Sequence, residues 1–209
     1  MDKSFVLKGL DKMIDDPKCE LNFGSNFQLL VAVILSAQCT DKRVNMVTDE
    51  LFKTHKTPED FANIPLEELE QKIHSCGFYR NKAKSIKAAS RDIIERFGGE
   101  VPSDFDDLIS LAGVGRKTAN VVLSVAFGKE ALAVDTHVLR VSNRLGLVKT
   151  DNPDKCEERL VQFFPKESWS KVHYQMVLFG RYICKAIKPD CANCQFAPVC
   201  PYKKEKECF

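Results

Sequence analysis

A nearly unbroken apolar run, LLVAVILSAQ at residues 29–38, constrains the fold most strongly. A helix that is hydrophobic on every side must be buried, because only the interior of a protein or a membrane accommodates it. This run is shorter than the roughly 18 apolar residues that a bilayer-spanning helix needs. We therefore predict a central helix that other elements of the domain surround.

The segments around this run show the 3.6-residue spacing and the end signals of helices. The signals are Asp41 as the cap of the next helix, Thr57–Pro58 as a helix start, Gly98–Gly99 after a helix over 82–97, and Ser103 with Asp106 as a capping box. Strand-like alternation is scarce, and ALAVD at residues 131–135 is interpreted as an extended connection. The predicted fold class is all-α.

Composition and charge indicate a soluble globular protein. Of the 209 residues 44% are hydrophobic and 29% are charged, and the net charge is +2. The N-terminus, MDKSFVLKGLDKMIDD, lacks the apolar core and cleavage site of a secretory signal. We expect a cytoplasmic protein without a membrane partner, nucleoid-associated if bacterial. In that compartment we do not expect the nine cysteines to form a disulfide framework.

A basic run without acidic residues lies between Tyr79 and Arg91. Its cations are Arg80, Lys82, Lys84, Lys87 and Arg91. A stripe of this kind suits the phosphate backbone of a nucleic acid. The plain alternative is a solvated helix face, and the run alone leaves both interpretations open.

The stretch LAGVGRKTANVVL at residues 111–123 places two glycines and an Arg-Lys-Thr before an apolar helix. A nucleotide-binding P-loop needs Gly-Lys-Ser/Thr after a strand, but here Arg116 separates the glycine from the lysine and the preceding segment is helical. Backbone N–H groups at the start of the second helix favour an anion such as a DNA phosphate. An ordinary glycine-rich turn between packed helices is the alternative.

Four cysteines near the C-terminus have the spacing C-x6-C-x2-C-x5-C: Cys184, Cys191, Cys194 and Cys200. Four thiolates this close in an intracellular chain indicate a metal site, and both zinc and a [4Fe–4S] cluster accept such a set. The other five cysteines show no ligand spacing and are predicted to be reduced, mostly buried thiols: Cys19, Cys39, Cys76, Cys156 and Cys208.

Several of these motifs together resemble those of one family. LAGVGRKTANVVL and VDTHVLR, with LSAQCTD at 35–41 and CGFYRNKAKSI at 76–86, look like the endonuclease III branch of the helix–hairpin–helix DNA glycosylases. The resemblance covers roughly residues 20 to 202. Ala112 stands where the family usually has proline, a departure that removes some turn rigidity and no reactive group.

The resemblance implies two helical lobes. One would span residues 22–131 and contain the helix–hairpin–helix at about 104–127. The other would combine residues 1–21 with 132–209 and carry a [4Fe–4S] cluster loop at 184–200, on the four cysteines named above. Double-stranded DNA with damaged bases or abasic sites would lie between the lobes, and the protein is expected to be a monomer.

The family also implies a reaction and its residues. The expected activity is a bifunctional DNA glycosylase and abasic-site lyase that removes oxidised pyrimidines. Lys117 would be the amine nucleophile that attacks C1′ and forms an imine, and Asp135 would stabilise positive charge on the sugar. Without the resemblance, a phosphate contact is the favoured role of Lys117, and Asp135 could be only a helix cap. The implied DNA contacts are Gln38, Gly113, Val114, Gly115, Arg116, Thr118, His137 and Lys188, with Lys185 beside the last.

The sequence leaves two alternatives. A monofunctional adenine-mismatch glycosylase would lack the hairpin lysine, use a glutamate in the early core helix and have an extra C-terminal domain. This sequence has Lys117, no glutamate in residues 29–38, and nine residues after Cys200. The other alternative is a non-catalytic helical DNA-binding module with a structural metal, in which Lys117 would contribute to binding alone.

Overall fold

The computed structural model describes residues 1–207, and throughout that range the regular elements are helices, which confirms the all-α prediction. In chain order they are α1 (Lys3–Met13), α2 (Asn26–Ser36), α3 (Asp41–Thr54), α4 (Pro58–Asn63), α5 (Leu66–Lys72), α6 (Tyr79–Phe97), α7 (Phe105–Ile109), α8 (Arg116–Phe127), α9 (Thr136–Arg144), α10 (Pro153–Phe163), a 3₁₀ turn (Lys166–Ser168), α11 (Trp169–Tyr182) and α12 (Pro201–Glu207). None of the described helices is long and apolar enough to cross a membrane.

The chain divides into two compact units. The middle unit comprises residues 20–129, and the terminal unit joins residues 1–19 to those from 130 onward. The boundaries expected from the sequence, at 22 and 131, lie two residues further along the chain.

The apolar run forms α2 in the interior of the middle unit. Each residue from Leu29 to Leu35 is buried, and α3, α6 and α8 pack against the helix. Ser25 caps its start by accepting the N–H of Gln28 at 3.2 Å. The helix ends at Ser36, two residues before the end of the apolar run, so Gln38 lies outside it.

Two predicted helix caps were wrong by one residue, and a third is confirmed. Thr40, not Asp41, caps α3, and its hydroxyl accepts the N–H of Arg43. Asp104 caps α7 in place of the expected box of Ser103 and Asp106. In both cases two good capping residues are adjacent, so composition does not select one of them. Thr57 caps α4 as expected, in a capping box with Asp60 and with proline at the first helical position.

Two lysines of the basic run point into the middle unit, which corrects the interpretation of the run as one surface stripe. Lys82 is buried, and its Nζ donates to the carbonyls of Leu35 at 2.9 Å and Ala37 at 2.6 Å. Lys87 Nζ donates in the same way to the carbonyls of Ala62 and Ile64. The lysines thus satisfy carbonyl groups that α2 and α4 leave unpaired at their C-terminal ends.

The terminal unit has its own apolar core. Helix α9 packs on α11, which also contacts α1, while α10 contacts α9. The core residues include Leu10, Val138, Met176 and Phe179, all fully buried. Residues 131–135 connect to α9 without regular structure, as the sequence predicted.

Candidate functional site

The predicted helix–hairpin–helix consists of α7, a turn over residues 110–115, and α8. The Val114 N–H donates to the Leu111 carbonyl at 3.1 Å, and the Val114 side chain is buried beneath the turn. Gly113 has φ of +77°, a conformation that disfavours side chains. Its backbone is also crowded, because a Cβ atom there would lie 2.6 Å from Ser85 Cβ. The turn is therefore held from its inner side by packing that only glycine permits at residue 113.

The outer side of the same turn is open. Gly115 is the N-cap of α8, and a Cβ atom added to it would meet no atom within 4 Å. Because glycine has no side chain with which to cap, the first amides of α8 receive no side-chain acceptor from it. The exposed Arg116 guanidinium lies 5.3 Å from the centroid of the Phe105 ring. Open amides, a helix N-terminus and an adjacent cation together favour a bound anion.

Lys117 is the second residue of α8 and is half-buried. Among the side chains that the structure describes, its amine takes part in no hydrogen bond or ion pair. Lys82 and Lys87 differ in this respect, since both donate to backbone carbonyls. An amine that the fold does not use is available to a bound molecule.

Asp135 is the N-cap of α9, so the capping interpretation is confirmed. Its Oδ1 accepts the N–H of Val138 at 2.8 Å, and the side chain is half-buried. The preceding residues 131–134 are all buried, and the buried His173 donates from Nδ1 to the Ala133 carbonyl at 2.8 Å. The cap and this buried connection fix the carboxylate in position and leave Oδ2 without a donor from the described chain.

His137 and Arg140 lie on one side of α9, one turn apart. Arg140 Nη2 approaches His137 Nδ1 at 3.1 Å and also donates to the Gly180 carbonyl at 2.7 Å. Because a guanidinium can only donate, Nδ1 is the acceptor and the ring proton of neutral His137 is on Nε2. Arg140 is partly buried, and burial lowers its pKa. Nε2–H is therefore the group that His137 can offer to a ligand.

Gln38 and Phe78 share an unusual backbone conformation. Their φ angles are +52° and +57°, in the left-handed region that residues other than glycine rarely adopt. Both side chains are exposed, and Phe78 retains 64% of its accessible surface. The two segments are adjacent, since a Cβ atom on Gly77 would lie 3.5 Å from the Gln38 carbonyl. The middle unit thus presents an amide and an aromatic ring from two neighbouring strained turns.

The four cysteines of the C-terminal motif line one cavity in the terminal unit. Leu145, Phe179 and Tyr202 complete part of its wall. Arg144 Nη1 contacts Cys184 Sγ at 3.5 Å and donates to the Lys185 carbonyl at 2.6 Å. Phe196 is fully buried and packs so closely that a Cβ atom on Gly9 would lie 2.4 Å from its ring. The loop that bears the cysteines is therefore attached firmly to α1 and α9.

The chemistry of this donor set fits a positively charged group. Burial raises the pKa of Cys194, and the thiols of Cys184, Cys200 and Cys191 raise it further. Crowded thiols resist simultaneous ionisation unless a cationic group lies among them. No three His, Cys, Asp or Glu side chains of the described chain are grouped so as to hold a single metal ion. The four thiols therefore fit a cationic group within the cavity that they line.

The structure distributes the predicted site residues over both units. Gln38, Gly113, Val114, Gly115, Arg116, Lys117 and Thr118 belong to the middle unit, whereas Asp135, His137, Lys188 and the four cysteines belong to the terminal unit. Lys188 and Lys185 are exposed, and Lys188 has φ of +50°. Thr118 is half-buried in the first turn of α8.

Phe78 and the two arginines of α9, Arg140 and Arg144, were not among the predicted site residues. An aromatic residue between Gly77 and a basic helix was a usable signal for an exposed ring. Arg140 ends the VDTHVLR motif, which was a usable signal, whereas nothing in the sequence distinguished Arg144 from other surface arginines. Among the remaining cysteines, Cys76 and Cys156 are buried, Cys19 and Cys39 are half-buried, and Cys208 lies outside the described residues.

Comparisons with known proteins show the family to which the chain is related. Residues 31–166 match the model of the HhH-GPD superfamily base excision DNA repair proteins. The endonuclease III of Bacillus subtilis (strain 168) is 54% identical over 94% of this chain and 90% of its own length. A non-covalent endonuclease III–DNA complex superimposes with a TM-score of 0.96 at 48% identity, covering 100% of both chains. A trapped endonuclease III–DNA covalent intermediate, an estranged-adenine complex, gives 0.95 at 49% identity over 99% of both chains.

Proposed function

The chain belongs to the HhH-GPD superfamily of base excision DNA repair proteins and to its endonuclease III branch, and we propose that it excises oxidised pyrimidines and cleaves the strand at the abasic site. The observation that carries the reaction is Lys117, a half-buried amine at a helix N-terminus that the described fold leaves unengaged. The assignment of substrate and of individual residues is our proposal. The monomeric state and cytoplasmic location stay predictions.

The hairpin binds the DNA backbone. Two features support this role: the open amides at Gly115 and the exposed guanidinium of Arg116. Contacts of this kind position a duplex without distinguishing its sequence. Since the buried Val114 side chain faces the interior, its contribution would come from the backbone. The exposed Lys188 and the Nε2–H of His137 would add phosphate contacts from the terminal unit.

Gln38 and Phe78 open the base stack. A damaged nucleotide must leave the duplex before an amine can reach C1′. The exposed Gln38 amide can hydrogen-bond to the base that was paired with the extruded nucleotide. The exposed Phe78 ring can stack between the base pairs that flanked this nucleotide. Backbone strain at both residues supports a functional role, because strained residues of this kind concentrate at binding sites.

Lys117 then acts as the nucleophile. Its neutral amine attacks C1′, the bond from C1′ to the base nitrogen breaks, and the base leaves with that electron pair and takes up a proton. Loss of a proton from Nζ and opening of the sugar ring give an imine between Nζ and C1′. The imine acidifies C2′–H, and removal of that proton expels the 3′ phosphate by β-elimination. The Asp135 carboxylate, held by its cap to Val138, stabilises the positive charge that develops on the sugar.

The cavity lined by Cys184, Cys191, Cys194 and Cys200 would hold a [4Fe–4S] cluster. Four thiolates would suit either zinc or a [4Fe–4S] cluster, and the similarity to endonuclease III favours the cluster. When bound, the cluster supplies a structural link that fastens the loop bearing Lys185 and Lys188. An iron assay and absorption spectrum of anaerobically purified protein test this assignment, and zinc without iron would refute it.

Borohydride trapping on a duplex with one oxidised pyrimidine tests the reaction. The wild-type protein should give a covalent adduct with DNA, Lys117→Gln should give none, and the exposed Lys84→Gln should behave like wild type. A wild-type protein without adduct, or an adduct with Lys117→Gln, would overturn the imine mechanism. Retained duplex binding by Lys117→Gln would exclude the non-catalytic module, in which the lysine serves binding alone.

A further inference from the structure

Cys39 and Cys76 form a pair of thiols that the reaction does not use. Cys39 follows the end of α2, where its N–H donates to the Ser36 carbonyl at 3.0 Å. Cys76 follows the end of α5, where its N–H donates to the Ile73 carbonyl at 2.8 Å. The residues beside them are in contact, since a Cβ atom on Gly77 would lie 3.5 Å from the Gln38 carbonyl, and the Cys39 thiol is close enough to act on the ionisation of Cys76. Both are free thiols. Two turns that are distant in sequence thus bring two thiols close together.

The surroundings of the two thiols differ. Cys76 is completely buried, and burial together with the neighbouring Cys39 raises its pKa to about 11. Cys39 is half-buried, so a small molecule in solution can reach it. The ammonium group of Lys82 and the guanidinium of Arg43 are close enough to act electrostatically on the pair. Both cations lower the pKa of Cys76, but by less than burial and Cys39 raise it, so the half-buried Cys39 is the thiol that meets a disulfide from solution.

Each thiol is next to a residue that the proposed function places in the base stack. Cys39 follows Gln38 directly, and Cys76 is separated from Phe78 by Gly77. The two segments already touch at Gly77 and the Gln38 carbonyl. A covalent bond between the sulfur atoms would therefore act on both strained turns at once.

We propose that Cys39 and Cys76 are a redox-modification site at which a low-molecular-weight disulfide reversibly oxidises the pair and thereby suppresses DNA processing. The Cys39 thiolate attacks one sulfur of the small disulfide, whose S–S bond breaks and releases one small thiol. Cys76 then attacks the Cys39 sulfur of the mixed disulfide and releases the second. Two protein thiols are oxidised, one small disulfide is reduced to two thiols, and the two protein protons pass to the products.

The expected loss of activity depends on which of the two cysteine-bearing turns moves when the disulfide forms. A disulfide requires the sulfur atoms to approach to about 2.05 Å. Cys76 is enclosed in the core, whereas Cys39 lies on the half-exposed turn after α2, so Cys39 moves inward and takes Gln38 with it. Displacement of a positioning group by about 1 Å can reduce a rate about 100-fold. This consequence rests on the proposed function, whereas formation of the bond does not.

Oxidised glutathione is the probe. The cluster-loaded protein is equilibrated anaerobically in glutathione buffers of increasing potential and then digested without reduction. We expect a peptide that links Cys39 to Cys76, a fall of about 10- to 100-fold in kcat/KM on an oxidised-pyrimidine duplex, and recovery with dithiothreitol. The visible absorbance of the cluster is followed in parallel and should not change.

Variants separate the pair from the other thiols. Cys39→Ala and Cys76→Ala should retain the activity of the reduced protein and lose the response to oxidised glutathione, while Cys19→Ala should respond like wild type. Absence of the linked peptide at every potential, linkage without loss of activity, or a response that persists in Cys39→Ala would overturn the proposal. If the reduced protein excises no base, the proposed function is refuted. The linked peptide and measurements of duplex binding would then still test the proposed redox site.

Discussion

Replacing Gly113 with alanine adds one methyl group at the most crowded point of the hairpin turn. At φ of +77° a Cβ atom clashes with its own backbone, which costs about 1–2 kcal/mol. The same Cβ atom would lie 2.6 Å from Ser85 Cβ and 2.9 Å from Ser85 Oγ. Because the Ser85 Cβ atom is fixed to α6, it cannot rotate away, and overpacking of this kind costs about 1–3 kcal/mol. Together the two terms predict a loss of about 2–5 kcal/mol in the free energy of unfolding.

Gly115 provides a matched control two residues away. Its φ is −93°, and a Cβ atom there meets open space. Gly115→Ala should change the free energy of unfolding by less than about 1 kcal/mol, because the lower capping preference of alanine is offset by the reduced entropy of the unfolded chain. Urea denaturation followed by circular dichroism measures both variants, and unchanged m-values would show that their denatured states are comparable.

A second substitution divides the loss into its two sources. Ser85→Gly removes the atoms that meet the new methyl group but leaves the backbone strain at residue 113. In a double-mutant cycle, Gly113→Ala with Ser85→Gly should recover about 1–3 kcal/mol relative to the sum of the single changes. Equal stability of the Gly113→Ala and Gly115→Ala proteins, or the absence of coupling to Ser85, would refute the reasoning.

Three further predictions concern single side chains. Lys82→Met should lower the free energy of unfolding by about 2–4 kcal/mol, because two buried carbonyls lose their donor. The control Lys84→Met, at an exposed residue, should change it by less than about 0.5 kcal/mol. Urea denaturation measures both variants. Asp135→Asn keeps a capping side chain, so single-turnover excision should fall about 100-fold or more at unchanged thermal stability; a loss of both would indicate a capping role alone. Hydrogen bonds from the backbone N–H groups of Lys56 and Thr57 lower the pKa of Asp60 below 3.8, its value in the unfolded chain. Wild type should therefore be more stable than Asp60→Asn at pH 7, and this difference should disappear as the pH falls from 3.8 through the lowered pKa. Denaturation curves from pH 7 to pH 2 check this.

Local sequence rules predicted the elements of the fold well where one residue type dominates. The apolar run forms a buried helix, Thr57 caps α4, and Gly98 ends α6 in the left-handed conformation. They failed where two suitable residues compete, as at Thr40 and Asp41. Capping depends on which hydroxyl or carboxylate can reach a free N–H, and that is decided by the angle at which the chain enters the helix.

The direction of long charged side chains could not be predicted. Lys82 and Lys84 are two residues apart on α6, yet one donates to carbonyls inside the middle unit and the other is exposed. Arg144 likewise holds the cysteine loop through carbonyls of Lys185 and Ala186, which lie more than forty residues away. Such contacts depend on tertiary packing that periodicity does not contain, whereas the four cysteines were found because ligand spacing is local.

Backbone strain indicates the proposed DNA-facing surface better than positive charge does. The left-handed conformation at Gln38, Phe78 and Lys188 costs about 1–2 kcal/mol at each residue, and glycine would relieve it. All three side chains are exposed, so they return little of that energy through packing in the fold. Lys82 and Lys87, by contrast, are basic but serve the interior. Residues that combine a strained backbone with an exposed side chain are best explained by contacts outside the protein. It follows that the uncharged Phe78 belongs to the proposed interface, while two lysines of the basic run do not.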